Sequence, residues 1–111
     1  MWWFKKNKVS ILVTTKPEEA VNNSDCVMTD KWVSMNDKVN KKAKKKILKP
    51  FQVNKKLMSK ANSDAIFMHC LPVGRGEEVT NEVIDGKQSV VWRQALNRVH
   101  AQKSIIKWCL D

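Results

Sequence analysis

With 111 residues, 42% of them hydrophobic and 29% charged, the chain has room for one small domain with a modest core and is too apolar for a disordered tail. Its 21 Lys and Arg against 11 Asp and Glu leave a net charge of +10, yet 18 of the 21 are lysines and asparagine is frequent at nine. That pairing points to compositional bias more than to a phosphate-gripping surface, which favours arginine, and with no apolar run long enough for a membrane and an opening Met1-Trp2-Trp3-Phe4-Lys5-Lys6 that reverses the order of a secretory signal, a cytoplasmic chain without a membrane partner is expected.

The first element is Lys8 to Thr14, short, β-branched and apolar, which predicts a buried strand. Pro17, fit for the first helical position, and Glu18 and Glu19, set against the positive end of a helix dipole, predict a short helix through Val21. Asp25 to Thr29 reads as a second strand, followed by a loop from Asp30 to Asn36. From Asp37 to Lys49 the pattern is helical, with Val39, Ala43 and Ile47 on one face and lysines at 41, 42, 44, 45, 46 and 49 around the rest, so this helix is expected to depend on packing. Pro50 ends it, Asn54 can cap a short helix carrying Leu57, Met58 and Ala61, and Ala65 to Cys70 is a third strand. Leu71-Pro72-Val73-Gly74-Arg75-Gly76 must be a loop, Thr80 can cap a turn through Ile84, and Gln88 to Trp92 is a fourth strand. Arg93 to Leu110 closes the chain as a helix with Ala95, Val99, Ile106, Cys109 and Leu110 along an apolar stripe. Strands alternating with helices imply an α/β layer with a mostly parallel sheet. Such a sheet needs helices on both faces, and this chain has little to cover the second, so part of the domain is expected to lie elsewhere.

Two polar clusters fall at carboxyl ends of predicted strands, where α/β sheets carry ligands. In Asp30-x-Trp32-x-Ser34-Met35 a carboxylate and a hydroxyl four residues apart can grip an ammonium group, although Asp and Ser in a loop also form turns. In His69-Cys70-Leu71-Pro72 an imidazole and a thiol are adjacent, so they point to opposite faces of the strand and do not pair as base and nucleophile. Cys26, Cys70 and Cys109 are odd in number and form no C-x-x-C, which supports neither a disulfide framework nor a thiolate zinc site; neither metal nor cofactor is expected. Arg98, taken alone, reads as a surface cation.

Taken together, Thr29-Asp30-Lys31-Trp32-Val33-Ser34-Met35, His69-Cys70-Leu71-Pro72, Gly76-Glu77-Glu78-Val79-Thr80, Ser89-Val90-Val91 and Asn97-Arg98-Val99-His100-Ala101-Gln102-Lys103 resemble the ornithine carbamoyltransferase family, in its order and at compatible spacing. The D-x-W-x-S-M loop is the specific part; H-C-L-P is shared with related carbamoyltransferases. The resemblance implies an incomplete Rossmann-like parallel sheet with flanking helices, the second domain of the aspartate/ornithine carbamoyltransferase fold. Residues 9–111 would be the C-terminal part of the ornithine-binding domain, residues 1–8 an extension outside the resemblance, and the carbamoyl-phosphate-binding domain absent. The implied reaction moves a carbamoyl group from carbamoyl phosphate to the side-chain amine of L-ornithine, giving citrulline and phosphate. Such an amine, with a pKa of about 10.4, is less than about 1% neutral at pH 8, so the enzyme must select or generate its nucleophilic form.

The resemblance further implies that Asp30 and Ser34 hold the ornithine α-ammonium and that the Met35 backbone helps with the carboxylate. Cys70 would lie beside the reacting amine, the carbonyls of Cys70 and Leu71 would receive the carbamoyl nitrogen, and Arg98 would stabilise charge growing on the carbamoyl oxygen. The Leu71–Pro72 bond would be cis. The family's S-T-R-T phosphate loop and H-P-x-Q segment occur nowhere in the chain, so about the last third of the enzyme is represented, and the isolated chain is expected to be inactive and marginally folded. Asn36, Lys31, Leu96 and Gly74 depart from the family's usual Gly, uncharged residue, Glu and His. The family forms homotrimers largely through the absent half, so no trimer is expected. Two alternatives stay open: half of a split carbamoyltransferase with a separate N-terminal polypeptide, and a small basic nucleic-acid-binding module using the lysine-rich helix.

Overall fold

The computed structural model describes residues 10–33 and 40–111. At its centre β1, Cys26–Thr29, runs parallel to β2, Ile66–His69, in the register Cys26↔Ile66, Val27↔Phe67, Met28↔Met68 and Thr29↔His69. Alternation decides which side chains go inside: Val27, Phe67 and His69 are buried while Cys26 and Met28 are exposed.

Two of the four expected strands are not strands. Residues 10–14 have no regular structure, and Ile11, Leu12 and Val13 are exposed; residues 8 and 9 lie outside the described residues. A β-branched run needs a neighbour for its backbone N–H and C=O groups, and none of the described strands lies beside this one. Gln88 to Trp92 forms only a single parallel bridge, Phe67↔Ser89, with the Phe67 N–H donating to the Gln88 carbonyl at 2.8 Å and the Val90 N–H to the Phe67 carbonyl at 3.0 Å. The backbone then turns helical at Val91, which the core claims as the first residue of the last helix.

The helices keep closer to expectation. Helix α1, Pro17–Val21, has Pro17 in its first turn with Glu18 and Glu19. Helix α2, Lys41–Leu48, starts where the Asn40 side chain accepts from the backbone N–H groups of Lys42 and Ala43, and a 3-10 turn, Lys49–Phe51, succeeds it. None of its residues is buried, Ala43 and Ile47 included, so the packed face expected for it is not found; Val39 lies outside the described residues. An ion pair between Lys45 and Glu77 ties α2 to the loop after β2. Helix α3, Lys55–Met58, is capped by Asn54, whose side chain accepts from the Leu57 N–H at 2.9 Å. Helix α4, Asn81–Ile84, is not capped by the Thr80 hydroxyl, which is buried without a partner among the described residues; the Thr80 carbonyl instead takes the N–H groups of Val83 and Ile84. Helix α5, Val91–Leu110, has Val91 as its single buried residue.

The core gathers Val21, Val27, Val53, Leu57, Met58, Phe67, Val79, Val83, Ile84 and Val91. Within it, one long-range contact reaches toward the carboxyl end of β2. Val53 pairs with Val79, with the Val53 N–H donating to the Glu78 carbonyl at 2.9 Å and the Thr80 N–H to the Val53 carbonyl at 3.0 Å. This draws the segment through Glu78 inside, until Glu78 has no exposed surface. The predicted α/β class stands, with a small parallel sheet.

Candidate functional site

Parallel pairing in the register Thr29↔His69 brings the next residue of each strand, Asp30 and Cys70, together at the carboxyl end of the sheet. The Cys70 thiol donates to Asp30 Oδ1 at 2.9 Å, and the Lys31 N–H donates to the same oxygen at 2.6 Å. These two hydrogen bonds, the thiol's first, hold the Asp30 carboxyl below its ordinary pKa. In return the Asp30 carboxylate, chiefly through that hydrogen bond and secondarily helped by partial burial, pushes the Cys70 thiol up. Both shifts favour a carboxylate beside a protonated thiol, with Cys70 as the hydrogen-bond donor of the pair. Buried Trp32 and Val33 anchor the chain directly after Asp30. Ser34 and Met35, the other two expected ornithine contacts, lie outside the described residues.

His69 points the other way, as strand alternation requires, and is buried. Its Nδ1 accepts the Leu71 N–H at 2.9 Å, and its Nε2 faces Glu78 Oε1 at 3.2 Å. The same Glu78 oxygen accepts the Gly74 N–H. The loop passes so close that a Cβ on Gly74 would stand 2.6 Å from Glu78 Oε2. Between these contacts Leu71 sits at φ 55°, in the left-handed region that costs a side chain about 1–2 kcal/mol, and the Leu71–Pro72 bond is cis.

Arg98 approaches from α5. The His69 N–H donates to Gln94 Oε1 at 3.1 Å, which fastens the first turns of α5 to the end of β2. Arg98 comes four residues later and so on the same helix face, about 6 Å along the axis. Together with His69, Cys70, Gln94, Ala95, Asn97 and Ala101 it lines a cleft of about 390 Å³. Arg98 is exposed and, among the described residues, has neither an ion-pair nor a hydrogen-bond partner. A larger cleft of about 660 Å³ opens by Asp64, Lys87 and Arg93 at the amino end of β2, away from all of these groups. Among the described residues no three His, Cys, Asp or Glu side chains gather as a metal site.

Of the residues singled out from the sequence, Asp30, Cys70, Leu71 and Arg98 are thus brought to one end of the sheet. Gln94 and the His69–Glu78 pair were not foreseen. For Gln94 a signal existed, a polar residue one helical turn ahead of Arg98; for Glu78 only burial reveals the contact. Replacing Gln94 with Ala leaves the His69 N–H without its acceptor and is expected to cost about 1 kcal/mol of stability in urea unfolding. A loss under about 0.3 kcal/mol would mean that water serves the strand end equally well.

The family model for the Asp/Orn binding domain of aspartate/ornithine carbamoyltransferases matches residues 3–109. The chain is 61% identical over 108 residues to the ornithine carbamoyltransferase of Rhodopseudomonas palustris, covering 97% of this chain and 34% of that protein. The solved ornithine carbamoyltransferase of Pyrococcus furiosus superposes with a TM-score of 0.83 at 47% identity, over 92% of this chain and 33% of that one. The anabolic ornithine carbamoyltransferase of Campylobacter jejuni superposes with a TM-score of 0.89 at 36% identity, over 97% and 36%. The chain spans about a third of the length of the curated relatives it matches.

Proposed function

The chain belongs to the aspartate/ornithine carbamoyltransferase family, and from that premise we propose that it supplies the amino-acid side of carbamoyl transfer from carbamoyl phosphate to L-ornithine. The observation that carries this reading is the Asp30–Cys70 pair at the strand ends, with Arg98 lining the same cleft as Cys70. A carboxylate there attracts the ammonium of ornithine and repels the second carboxylate of an aspartate substrate. It also keeps Cys70 a neutral donor beside the amine. The amine lone pair forms the new C–N bond at the carbamoyl carbon, the C–O bond to phosphate breaks with its electrons leaving on phosphate, and the proton lost by the amine passes to the departing phosphate. Arg98 meets the charge that grows on the carbamoyl oxygen, and the Cys70 and Leu71 carbonyls take the carbamoyl nitrogen. Ser34 and Met35 complete the ornithine contacts in this proposal.

Residues 9–111 are proposed as the C-terminal part of the ornithine-binding domain. The carbamoyl-phosphate domain then comes from another stretch of polypeptide, in the same chain or a separate one, and with it the trimer contacts. The setting is proposed to be cytoplasmic; among the described residues no helix is long and apolar enough to cross a membrane. The comparisons favour this reading over a nucleic-acid-binding module.

The test is an NMR titration of the isotope-labelled chain with L-ornithine and with L-aspartate. Ornithine is expected to shift the signals of Asp30 and Cys70, while aspartate leaves them in place. Asp30→Asn removes a charge-assisted contact worth about 1.5–3 kcal/mol, so ornithine binding should weaken roughly 10- to 150-fold. The same substitution takes the carboxylate from the thiol, so the Cys70 pKa falls toward its ordinary value and alkylation at neutral pH speeds up. A response to aspartate instead, or one that survives Asp30→Asn, would overturn the assignment.

A further inference from the structure

We propose that His69 is a positioning residue of this site: it holds the Cys70–Leu71 turn in place through a single, fixed tautomer that Glu78 selects. The proposal rests on the functional reading above for its purpose, but its geometry stands apart from that reading. A backbone N–H can only donate, so the Leu71 amide at 2.9 Å makes His69 Nδ1 an acceptor and leaves the ring proton on Nε2, facing Glu78 Oε1 at 3.2 Å. Ring and carboxyl group are both fully buried, so water offers neither an alternative partner. Glu78 Oε1 also takes the Gly74 N–H, while Oε2 is buried with no partner among the described residues.

The consequence falls on Leu71. A leucine at φ 55° stays there only if its surroundings hold it, and the His69 ring accepts the N–H of that same residue. The strand end is fastened from the opposite side by Gln94, so the imidazole works from a fixed base. His69 thus joins the buried Glu78 to the turn whose carbonyls are proposed to receive the carbamoyl nitrogen, without reaching the cleft chemistry through its own proton.

Long-range ¹H–¹⁵N correlation of the histidine ring and amide hydrogen exchange at Leu71, both on the 111-residue chain, test this. The ring is expected as the Nε2–H tautomer at neutral pH. His69→Leu, which has no acceptor, should speed Leu71 amide exchange about tenfold, whereas His69→Asn, whose Oδ1 stands near the place of Nδ1, should keep it within about threefold. A purely structural filling role would make the apolar variant the better protected of the two. An Nδ1–H ring, an imidazolium, or equal exchange in both variants overturns the proposal. If His69→Leu does not fold, the tautomer and the His69→Asn exchange rate decide. A chain that shows the expected tautomer but ignores ornithine would refute the functional reading alone and leave this inference standing.

Discussion

Purified by itself and supplied with carbamoyl phosphate and L-ornithine, the 111-residue chain is expected to form citrulline no faster than a protein-free control. Carbamoyl phosphate is a multiply charged anion, and the cleft beside Cys70 offers it one arginine, Arg98, among its described lining residues. The S-T-R-T and H-P-x-Q segments that the family resemblance assigns to phosphate binding are not among the 111 residues. Without them the phosphate lacks the contacts that would fix the carbamoyl carbon against the amine. Holding two reactants in line contributes about 7–11 kcal/mol, equivalent to effective molarities of roughly 10⁵–10⁸ M, and the polarisation by Arg98 cannot replace it. The measurement is colorimetric citrulline formation against the uncatalysed rate. A rate clearly above that background would refute the expectation. Adding a polypeptide that carries both segments discriminates further, since recovery of turnover on mixing is what a split enzyme requires.

The second large effect lies in the core. Phe67 has no exposed surface, stands opposite Val27 in the middle of β2, and exchanges backbone hydrogen bonds with Gln88 and Val90 on its other side. It shares the core with Val27 of β1 and with Val91 at the start of α5. Phe67→Ala should cost about 3–5 kcal/mol through lost burial and the cavity left behind. A domain of this size has only about 5–15 kcal/mol in total. The variant is therefore expected to lose most of its folded population margin, seen as an early midpoint in urea followed by circular dichroism. Met28→Ala, on the exposed face of β1, serves as the control and should stay within about 0.5 kcal/mol. Equal losses for the two would mean that the sheet is not the stabilising centre. Because Asp30 and Cys70 meet only through the β1–β2 register, Phe67→Ala should also release the thiol from its carboxylate and accelerate its alkylation.

Much of this was legible in the sequence because the signals are local. The two apolar runs ending at Thr29 and at His69 are strands, Pro17 and Asn54 start helices, and alternation alone separates His69 from Cys70. The D-x-W-x-S-M and H-C-L-P strings carry the family without any reference to space. What the sequence could not decide was every outcome that depends on a neighbour. Residues 10–14 read as a strand as convincingly as the real ones, yet no described strand lies beside them to take their hydrogen bonds. The apolar stripe of α5, with Ala95, Val99, Ile106, Cys109 and Leu110, predicts a packed face, and the described residues leave it open to solvent.

The site divides in the same way. Its residue types were readable from the chain alone, whereas their pairing was not. Only the parallel register sets Asp30 against Cys70, forty residues apart, and with it the protonation of the thiol. Only the Val53–Val79 pairing draws Glu78 under β2, where the buried ring of His69 can meet it and hold Leu71. Periodicity and capping are properties of a few consecutive residues and survive in the sequence. Hydrogen bonding and burial between distant segments are properties of their contact, and only the tertiary structure contains that.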